Sequence, residues 1–126
     1  MTHYKQYLSE VVKITRKLAG REIDFMIGEL ITLREHRRRI FFIGLGGSAA
    51  NASHAVNDFR KLCGIEAYAP TDNVAELTAI ANDEGWTGIF TRWLSESNVK
   101  SQDALFVLSV GGGTDTVSVP LKLAIN

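Results

Sequence analysis

Apolar residues in the first third of the chain recur at helical spacing. They stand three or four positions apart over residues 4–18 and again over residues 23–33, which predicts two amphipathic helices. We expect Gly20 to end the first helix. The second helix is followed by a basic cluster at residues 35–39. These cations could bind phosphate or nucleic acid, or they could interact with the negative end of the helix dipole. We favour the helix dipole, because the chain carries no net charge.

The period of the pattern changes at residue 40. Short apolar runs bounded by glycine or turn residues are typical of buried parallel strands, and they occupy residues 40–43, 65–69 and 104–108. The helix after the first run is expected to bury one apolar stripe, made of Ala52, Ala55, Val56, Phe59 and Leu62.

Three further helices are predicted later in the chain. Asn73 and Glu76 resemble a capping pair, and the helix they begin continues through Ile80. Another helix covers residues 89–94, and the last begins near Ser118 and extends to Asn126.

Strands and helices that alternate in this way predict an α/β fold with a parallel sheet. In a single domain, residues 1–38 form an N-terminal helical segment and residues 39–126 the α/β part. Three strands make a thin sheet, and the sequence stops about two turns into its last helix without a capping residue. We therefore expect the C-terminal part of the domain to be missing from this sequence.

The composition is that of one globular domain. Of 126 residues, 45% are hydrophobic and 22% charged, which excludes a multidomain enzyme and a disordered chain. Fourteen basic residues balance fourteen acidic ones, so no general attraction to nucleic acid is expected. No apolar run could span a membrane, the N-terminus lacks a signal-peptide pattern, and the only cysteine is Cys63. We expect a cytoplasmic protein without nucleic-acid or membrane partners, in which Cys63 is a small buried residue.

Two predicted strands end in loops rich in glycine and hydroxyl side chains, at residues 44–48 and 109–114. Each loop precedes a helix, whose N-terminus offers unpaired N–H groups and a partial positive charge. Glycine lets the backbone approach an anion, and serine or threonine adds a hydroxyl donor. Ligands bind at the carboxyl ends of parallel strands, where both loops lie. Together the loops predict a phosphate-binding site.

The first loop allows a second interpretation. Residues 44–49 fit the G-x-G-x-x-A form of the dinucleotide fingerprint, and Asp72 would then hold a ribose. A dinucleotide-binding domain has no need of the second glycine loop, which counts against this alternative.

A polar face follows the first loop, where Asn51, His54 and Asp58 recur at helical spacing. A histidine and an aspartate four residues apart can ligate one metal ion, or act as a base with the group that orients it. The alternative is an ordinary solvated face, because the metal signatures that carry weight have three or more ligands.

Four segments read Gly-Gly-Ser-Ala-Ala-Asn-Ala-Ser-His (46–54), Thr-Asp-Asn (71–73), Thr-Ala-Ile-Ala-Asn-Asp (78–83) and Ile-Phe-Thr-Arg (89–92). In this order and spacing they resemble the sugar isomerase (SIS) domain family, and within it the phosphoheptose isomerases. The resemblance implies a three-layer, flavodoxin-like fold with about five parallel strands. It also implies a homotetramer that shares active sites between subunits, binds zinc and needs no nucleotide cofactor. The implied reaction converts sedoheptulose 7-phosphate to D-glycero-D-manno-heptose 7-phosphate through an enediol, which supplies heptose for lipopolysaccharide.

The resemblance assigns roles by position. Gly46, Gly47 and Ser48 correspond to the first sugar-phosphate loop, and His54 to a zinc-binding histidine. Asp58 stands where the family has a glutamate that serves as metal ligand and catalytic base. The other substrate contacts correspond to Asn82, Asp83, Ser109, Gly111 and either Ser118 or Thr114.

The sequence also departs from the family pattern. Leu45 replaces an asparagine, Val110 and Gly111 replace a Thr-Ser pair, and Asp58 is one methylene shorter than glutamate. A misplacement of about 1 Å can lower a rate on the order of a hundredfold. The family's remaining catalytic histidine and glutamine lie in a C-terminal helix that this sequence does not include. The departures therefore leave a second interpretation, a non-catalytic SIS module that binds a sugar phosphate.

Overall fold

The computed structural model describes residues 2–125, which form helices and a parallel sheet. The helices are α1 (His3–Thr15), α2 (Gly20–Glu35), α3 (Gly47–Asp58), α4 (Val74–Asp83), α5 (Ile89–Glu96) and α6 (Val119–Ile125). The strands are β1 (Arg39–Gly44), β2 (Glu66–Tyr68) and β3 (Ala104–Leu108). The chain divides into two compact units, of which the first ends at Thr32 and the second begins at Leu33. No helix within residues 2–125 combines the length and the apolar content that crossing a membrane requires.

The first unit consists of α1 and most of α2, as the helical pattern predicts. Most of its apolar side chains are exposed, although Leu30 is half-buried, and α1 has no buried residue. The expectation that Gly20 ends the first helix is wrong, because α1 ends at Thr15 and Gly20 begins α2. The turn closes instead through short-range hydrogen bonds, in which the amides of Lys17 and Leu18 donate to carbonyls three residues earlier.

The end of α2 belongs to the second unit and forms a Schellman motif. The Arg38 amide donates to the Leu33 carbonyl at 2.9 Å, and the Arg37 amide donates to the Arg34 carbonyl at 3.2 Å. Arg37 has a φ of 52°, a left-handed conformation that favours glycine. Arg34 lies in the last helical turn, where a cation interacts favourably with the helix dipole.

The sheet has the order β2-β1-β3, with β1 in the centre and all strands parallel. This confirms the predicted α/β fold. β3 is only half-buried, with Leu105 37% exposed, although the apolar run predicts a buried strand. The reason is its position, since β3 is an edge strand within the described residues and has a neighbour on one side only.

Helices cover both faces of the sheet, which gives three layers. Phe41 and Ile43 of β1 pack in one core with apolar residues of α4, α5 and α6. On the other face Phe42 contacts Phe59, directly after α3, with 4.9 Å between ring centroids. Successive residues of a strand point to opposite faces, so the continuous apolar run of β1 serves both cores.

The helical stripe predicted after the first strand is correct at Ala52 and Val56, which are buried, and wrong at Leu62, which is 72% exposed. A π-helical turn, Phe59–Cys63, continues α3 and changes the angular spacing of its side chains. Phe59 still reaches the core, but Leu62 points away from it. Cys63 lies in the same turn and is half-buried rather than buried.

The predicted capping pair of α4 is confirmed. The Asn73 Oδ1 atom accepts a hydrogen bond from the Glu76 amide at 3.3 Å. The last helix begins at Val119, next to the predicted start, and its predicted end at Asn126 lies outside the described residues.

An ion pair joins the start of β1 to the turn before β3. The Arg39 Nη2 atom lies 2.6 Å from Asp103 Oδ2, and the Asp103 side chain is 4% exposed. The backbone amides of Arg39 and Lys100 also donate to the Asp103 carboxylate. Burial raises the pKa of Asp103, but the hydrogen bonds from Arg39 and Lys100 outweigh it, and the resulting pKa is lower than usual.

Candidate functional site

The two glycine loops meet at the carboxyl edge of the sheet. Gly44 and Leu108 are register partners, so the loops leave β1 and β3 side by side. With the start of α6 they surround a pocket of about 340 Å³. The pocket is lined by Leu45, Ser48, Leu108, Ser109, Val110, Gly111, Gly113, Thr114, Val117, Ser118 and Leu121. Both loops therefore line one pocket, and the phosphate site that they predict stays a prediction.

The first loop turns tightly because its glycines allow it. A Cβ atom on Gly44 would lie 2.7 Å from the backbone of Ser48, so a side chain there would collide with the first turn of α3. Gly46 has a φ of 59° and a ψ of −124°, a conformation available essentially to glycine alone. This turn places Ser48 on the wall of the pocket, whereas Gly46 and Gly47 are exposed beside it.

The second loop is held by its own side chains. The Ser109 hydroxyl oxygen accepts a hydrogen bond from the Gly112 amide at 2.9 Å. The Thr114 hydroxyl oxygen accepts from the Val117 amide, also at 2.9 Å. A Cβ atom on Gly113 would lie 2.6 Å from the Ser118 carbonyl oxygen, so the loop packs closely against the start of α6.

The four hydroxyls that line the pocket therefore differ in what they contact. Those of Ser109 and Thr114 stabilise the loop, while those of Ser48 and Ser118 make no hydrogen bond to any described residue. A hydroxyl that makes no hydrogen bond or only accepts one keeps its own proton for a ligand, so Ser48, Ser109 and Ser118 can each donate to one, whereas Thr114 also donates to the Val117 carbonyl at 3.4 Å. Between the two candidates for the last position, the geometry favours Ser118 as a ligand contact and Thr114 as a structural residue.

Much of the pocket wall is apolar, and part of it is not predicted by any sequence motif. Leu45 and Val110 are departures from the family pattern, but Leu108, Val117 and Leu121 carry no motif. Only their position near the two ends of the second loop could have indicated that they line the pocket. Ligand pockets commonly combine apolar walls with a few polar groups.

The predicted pair on α3 is formed, away from the lining of the pocket. His54 Nε2 lies 3.3 Å from Asp58 Oδ2, and their side chains are 76% and 42% exposed. The Asn57 side-chain amide donates to the other Asp58 oxygen at 3.3 Å. His54 and Asp58 therefore sit on a solvated helix face, in contact with each other, as their spacing predicts.

Zinc requires more donors than this pair provides. Protein zinc sites have three or four protein ligands. The described residues contain no group of three or more histidine, cysteine, aspartate or glutamate side chains suitable for a metal. His54 and Asp58 alone do not fit a complete zinc site, and the zinc implied by the family resemblance stays a prediction.

The remaining predicted contacts lie elsewhere. Asn82 and Asp83 end α4, are exposed, and share a hydrogen bond of 2.8 Å from the Asn82 side-chain amide to Asp83 Oδ1. Asp72, the ribose contact of the dinucleotide alternative, lines a separate open cleft along α3 with Ser53 and Arg60. None of these acidic or amide side chains lines the pocket between the glycine loops.

Comparison with known proteins identifies relatives along nearly the whole chain. No protein-family model matches. The phosphoheptose isomerase of Geobacter metallireducens is 31% identical, over 98% of this chain and 67% of its own length. Those of Helicobacter pylori and Geobacter sulfurreducens are 30% and 35% identical, over 90% and 88% of this chain. The chain spans 62% and 60% of the length of these two relatives.

Solved structures share the fold. A phosphoheptose isomerase from Francisella tularensis superimposes with a TM-score of 0.78 at 20% identity, over 99% of this chain and 67% of that one. The phosphoheptose isomerase of Neisseria gonorrhoeae gives a TM-score of 0.65 at 23% identity, over 98% of this chain and 68% of that one. The three-layer SIS fold is therefore established, and with the sequence relatives it shows that the chain belongs to the phosphoheptose isomerase family.

Proposed function

We propose that this protein is a sugar-phosphate aldose–ketose isomerase whose substrate is sedoheptulose 7-phosphate. The observation that supports the proposal most directly is the pocket between the two glycine loops. Its wall carries hydroxyl side chains, and its glycines let the backbone come close to a bound phosphate. The family relationship supplies the reaction class, because the relatives are named phosphoheptose isomerases. The sugar-phosphate substrate and the single Cys63 support a cytoplasmic reaction.

In this proposal the pocket binds the phosphate. Ser48 and Ser118 donate their hydroxyls to it, and the glycines of both loops keep side chains out of its way. A phosphate bound at this edge of the sheet fixes one end of the sugar and leaves the rest of its carbon chain to extend along the protein surface.

Proton transfer is assigned to the pair on α3. A helix rises 1.5 Å per residue, so His54 lies about 10 Å along α3 from Gly47, on the scale of an extended seven-carbon sugar phosphate. The Asp58 carboxylate points back toward His54, as the 3.3 Å separation requires. Asp58 removes the proton from the hydroxyl-bearing carbon next to the carbonyl while water gives a proton to the carbonyl oxygen, which forms an enediol. Asp58 then returns its proton to the former carbonyl carbon while the other hydroxyl releases its proton to water, which leaves the aldose carbonyl. His54 orients the carboxylate.

Filling the pocket should prevent binding without unfolding the protein. Gly111 lines the pocket, and a Cβ atom there meets nothing within 4 Å, so Gly111→Val adds side-chain volume at the pocket without displacing other protein atoms. We expect sugar-phosphate affinity to fall about tenfold or more, measured by calorimetric titration, with an unchanged melting temperature. Thr116→Val is the control, because Thr116 is exposed and does not line the pocket. Equal affinity of the two variants would place the ligand elsewhere.

A non-catalytic sugar-phosphate module is the second candidate. The observation in its favour is the apolar wall, since Leu45 and Val110 stand in the pocket where the family has polar side chains. Such a module would bind the sugar phosphate and form no aldose from it.

We also propose that the first unit associates with other copies of the chain in a homotetramer. The apolar side chains of α1 and α2 that a monomer leaves exposed include Tyr4, Tyr7, Leu8, Phe25 and Ile27. Monomeric proteins seldom expose contiguous apolar patches of this kind. In a symmetric oligomer the same apolar surface of a second copy can cover them.

A charge in this apolar surface should dissociate the oligomer. Leu8 is 55% exposed, so Leu8→Glu does not disturb the fold of a monomer but places a carboxylate in the proposed interface. We expect light scattering after size exclusion to give a smaller species than the wild type. Lys5→Glu, on the same helix at an exposed polar position, is the matched control. A wild-type chain that is monomeric at micromolar concentration would contradict the proposal.

A further inference from the structure

A second polar site lies at the opposite edge of the sheet from the pocket, where the strands begin. Two adjacent clefts of about 270 and 280 Å³ share Arg37, Arg38 and Glu66 as lining residues. Arg34 completes one cleft, and Lys100 lines the other. We call these two clefts together the basic cleft.

The cations of the basic cleft have few anions to neutralise them. The side chains of Arg34, Arg37 and Arg38 form no ion pair with any described residue. Of the acidic side chains nearby, that of Asp103 is paired with Arg39. Glu66 remains, and its carboxylate accepts a hydrogen bond from the Tyr68 hydroxyl at 2.6 Å. A local excess of positive charge therefore exists in a chain whose net charge is zero.

The backbone at Arg37 indicates that its side chain matters. Arg37 occupies the left-handed position of the Schellman motif, where glycine avoids the steric cost of a Cβ atom. Asn98 ends α5 with the same motif and is one of the residues that tolerate the conformation. An arginine at this position lowers the stability of the protein, and the Schellman motif could form with glycine instead.

We propose that the basic cleft is a binding site for a small molecule that carries a diphosphate group. Guanidinium groups bind phosphate oxygens through paired hydrogen bonds, and several arginines around one cleft can contact both phosphates of such a ligand. The site is separate from the pocket between the glycine loops, which lies at the other end of the parallel strands.

Calorimetric titration with inorganic pyrophosphate tests the proposal. We expect Arg37→Gly to weaken binding about tenfold, the loss expected for one charge-assisted contact, while it raises the melting temperature because the left-handed strain is relieved. Arg38→Gln should weaken binding similarly. Glu66→Gln should tighten it by about threefold, because it removes the opposing charge and keeps an acceptor for Tyr68. Arg21→Gln, a cation outside the cleft, controls for net charge.

Three results would overturn the proposal. The first is no binding of pyrophosphate at millimolar concentration. The second is an effect of Arg37→Gly and Arg38→Gln no larger than that of Arg21→Gln. The third is binding that Gly111→Val abolishes and the arginine substitutions leave intact, since this would assign the anion to the glycine-loop pocket. Opposite effects of Arg37→Gly on affinity and on melting temperature would distinguish a binding role from a structural one.

Discussion

Replacing Asp58 with alanine is expected to lower the rate of proton exchange at the carbon next to the sugar carbonyl by about 10²–10⁴-fold, the usual contribution of a general base. The Asp58 carboxylate lies 3.3 Å from His54 Nε2 on α3, and alanine removes it without touching the pocket. Exchange is measured by NMR as deuterium incorporation into sedoheptulose 7-phosphate, and binding of the sugar phosphate by titration. Binding should stay within about twofold of the wild type, since the phosphate contacts are unchanged.

Asp58→Glu is the matched variant for this experiment. It restores the longer carboxylate that the family resemblance assigns to this position, so exchange should equal or exceed that of the wild type. Undiminished exchange in Asp58→Ala would remove Asp58 from the mechanism, whatever the behaviour of the glutamate variant.

Replacing Asp103 with alanine is expected to lower the free energy of unfolding by about 2–4 kcal/mol, because the half-buried Arg39 guanidinium loses its anionic partner and keeps only the Ser97 and Asn98 carbonyls. Urea unfolding followed by circular dichroism measures the loss. Asp115→Ala is the control, since Asp115 pairs with Lys122 at the surface and its side chain is 88% exposed. Its loss should stay below about 1 kcal/mol. Equal losses in the two variants would contradict the structural role of Asp103.

The same ion pair predicts how stability depends on pH. The pKa of Asp103 is lower in the folded protein than the ordinary value of 3.8, so its contribution is fully present above that value and is lost as pH falls through the folded pKa. The difference in unfolding free energy between the wild type and Asp103→Ala should therefore be constant near neutral pH and shrink below about pH 4.

The parts of the fold that could be predicted depend on local pattern and strand direction. The apolar run of β1 and the capping pair at Asn73 are visible within a few residues. The meeting of the two glycine loops follows from parallel strands, because loops at the carboxyl ends of neighbouring strands lie at one edge of the sheet. These features needed no knowledge of the tertiary packing.

The features that the sequence did not reveal depend on tertiary context. The ion pair between Arg39 and Asp103 joins residues 64 positions apart, and no periodicity indicates such a contact. The helical spacing predicts the wrong face for Leu62, because a π-helical turn shifts the pattern after Asp58. Thr114 and Ser118 could not be separated until the loop hydrogen bonds showed which hydroxyl the protein itself uses.

Deuterium exchange during turnover tests the proposed isomerase most directly. The protein is incubated with sedoheptulose 7-phosphate in D₂O, and NMR follows both deuterium at the exchanging carbon and the appearance of the aldose. We expect both to appear together, and we expect Gly111→Val, which adds a side chain to the proposed phosphate pocket, to suppress both. A sugar phosphate that binds in the pocket and gives neither deuterium incorporation nor aldose would contradict the isomerase and leave a binding module.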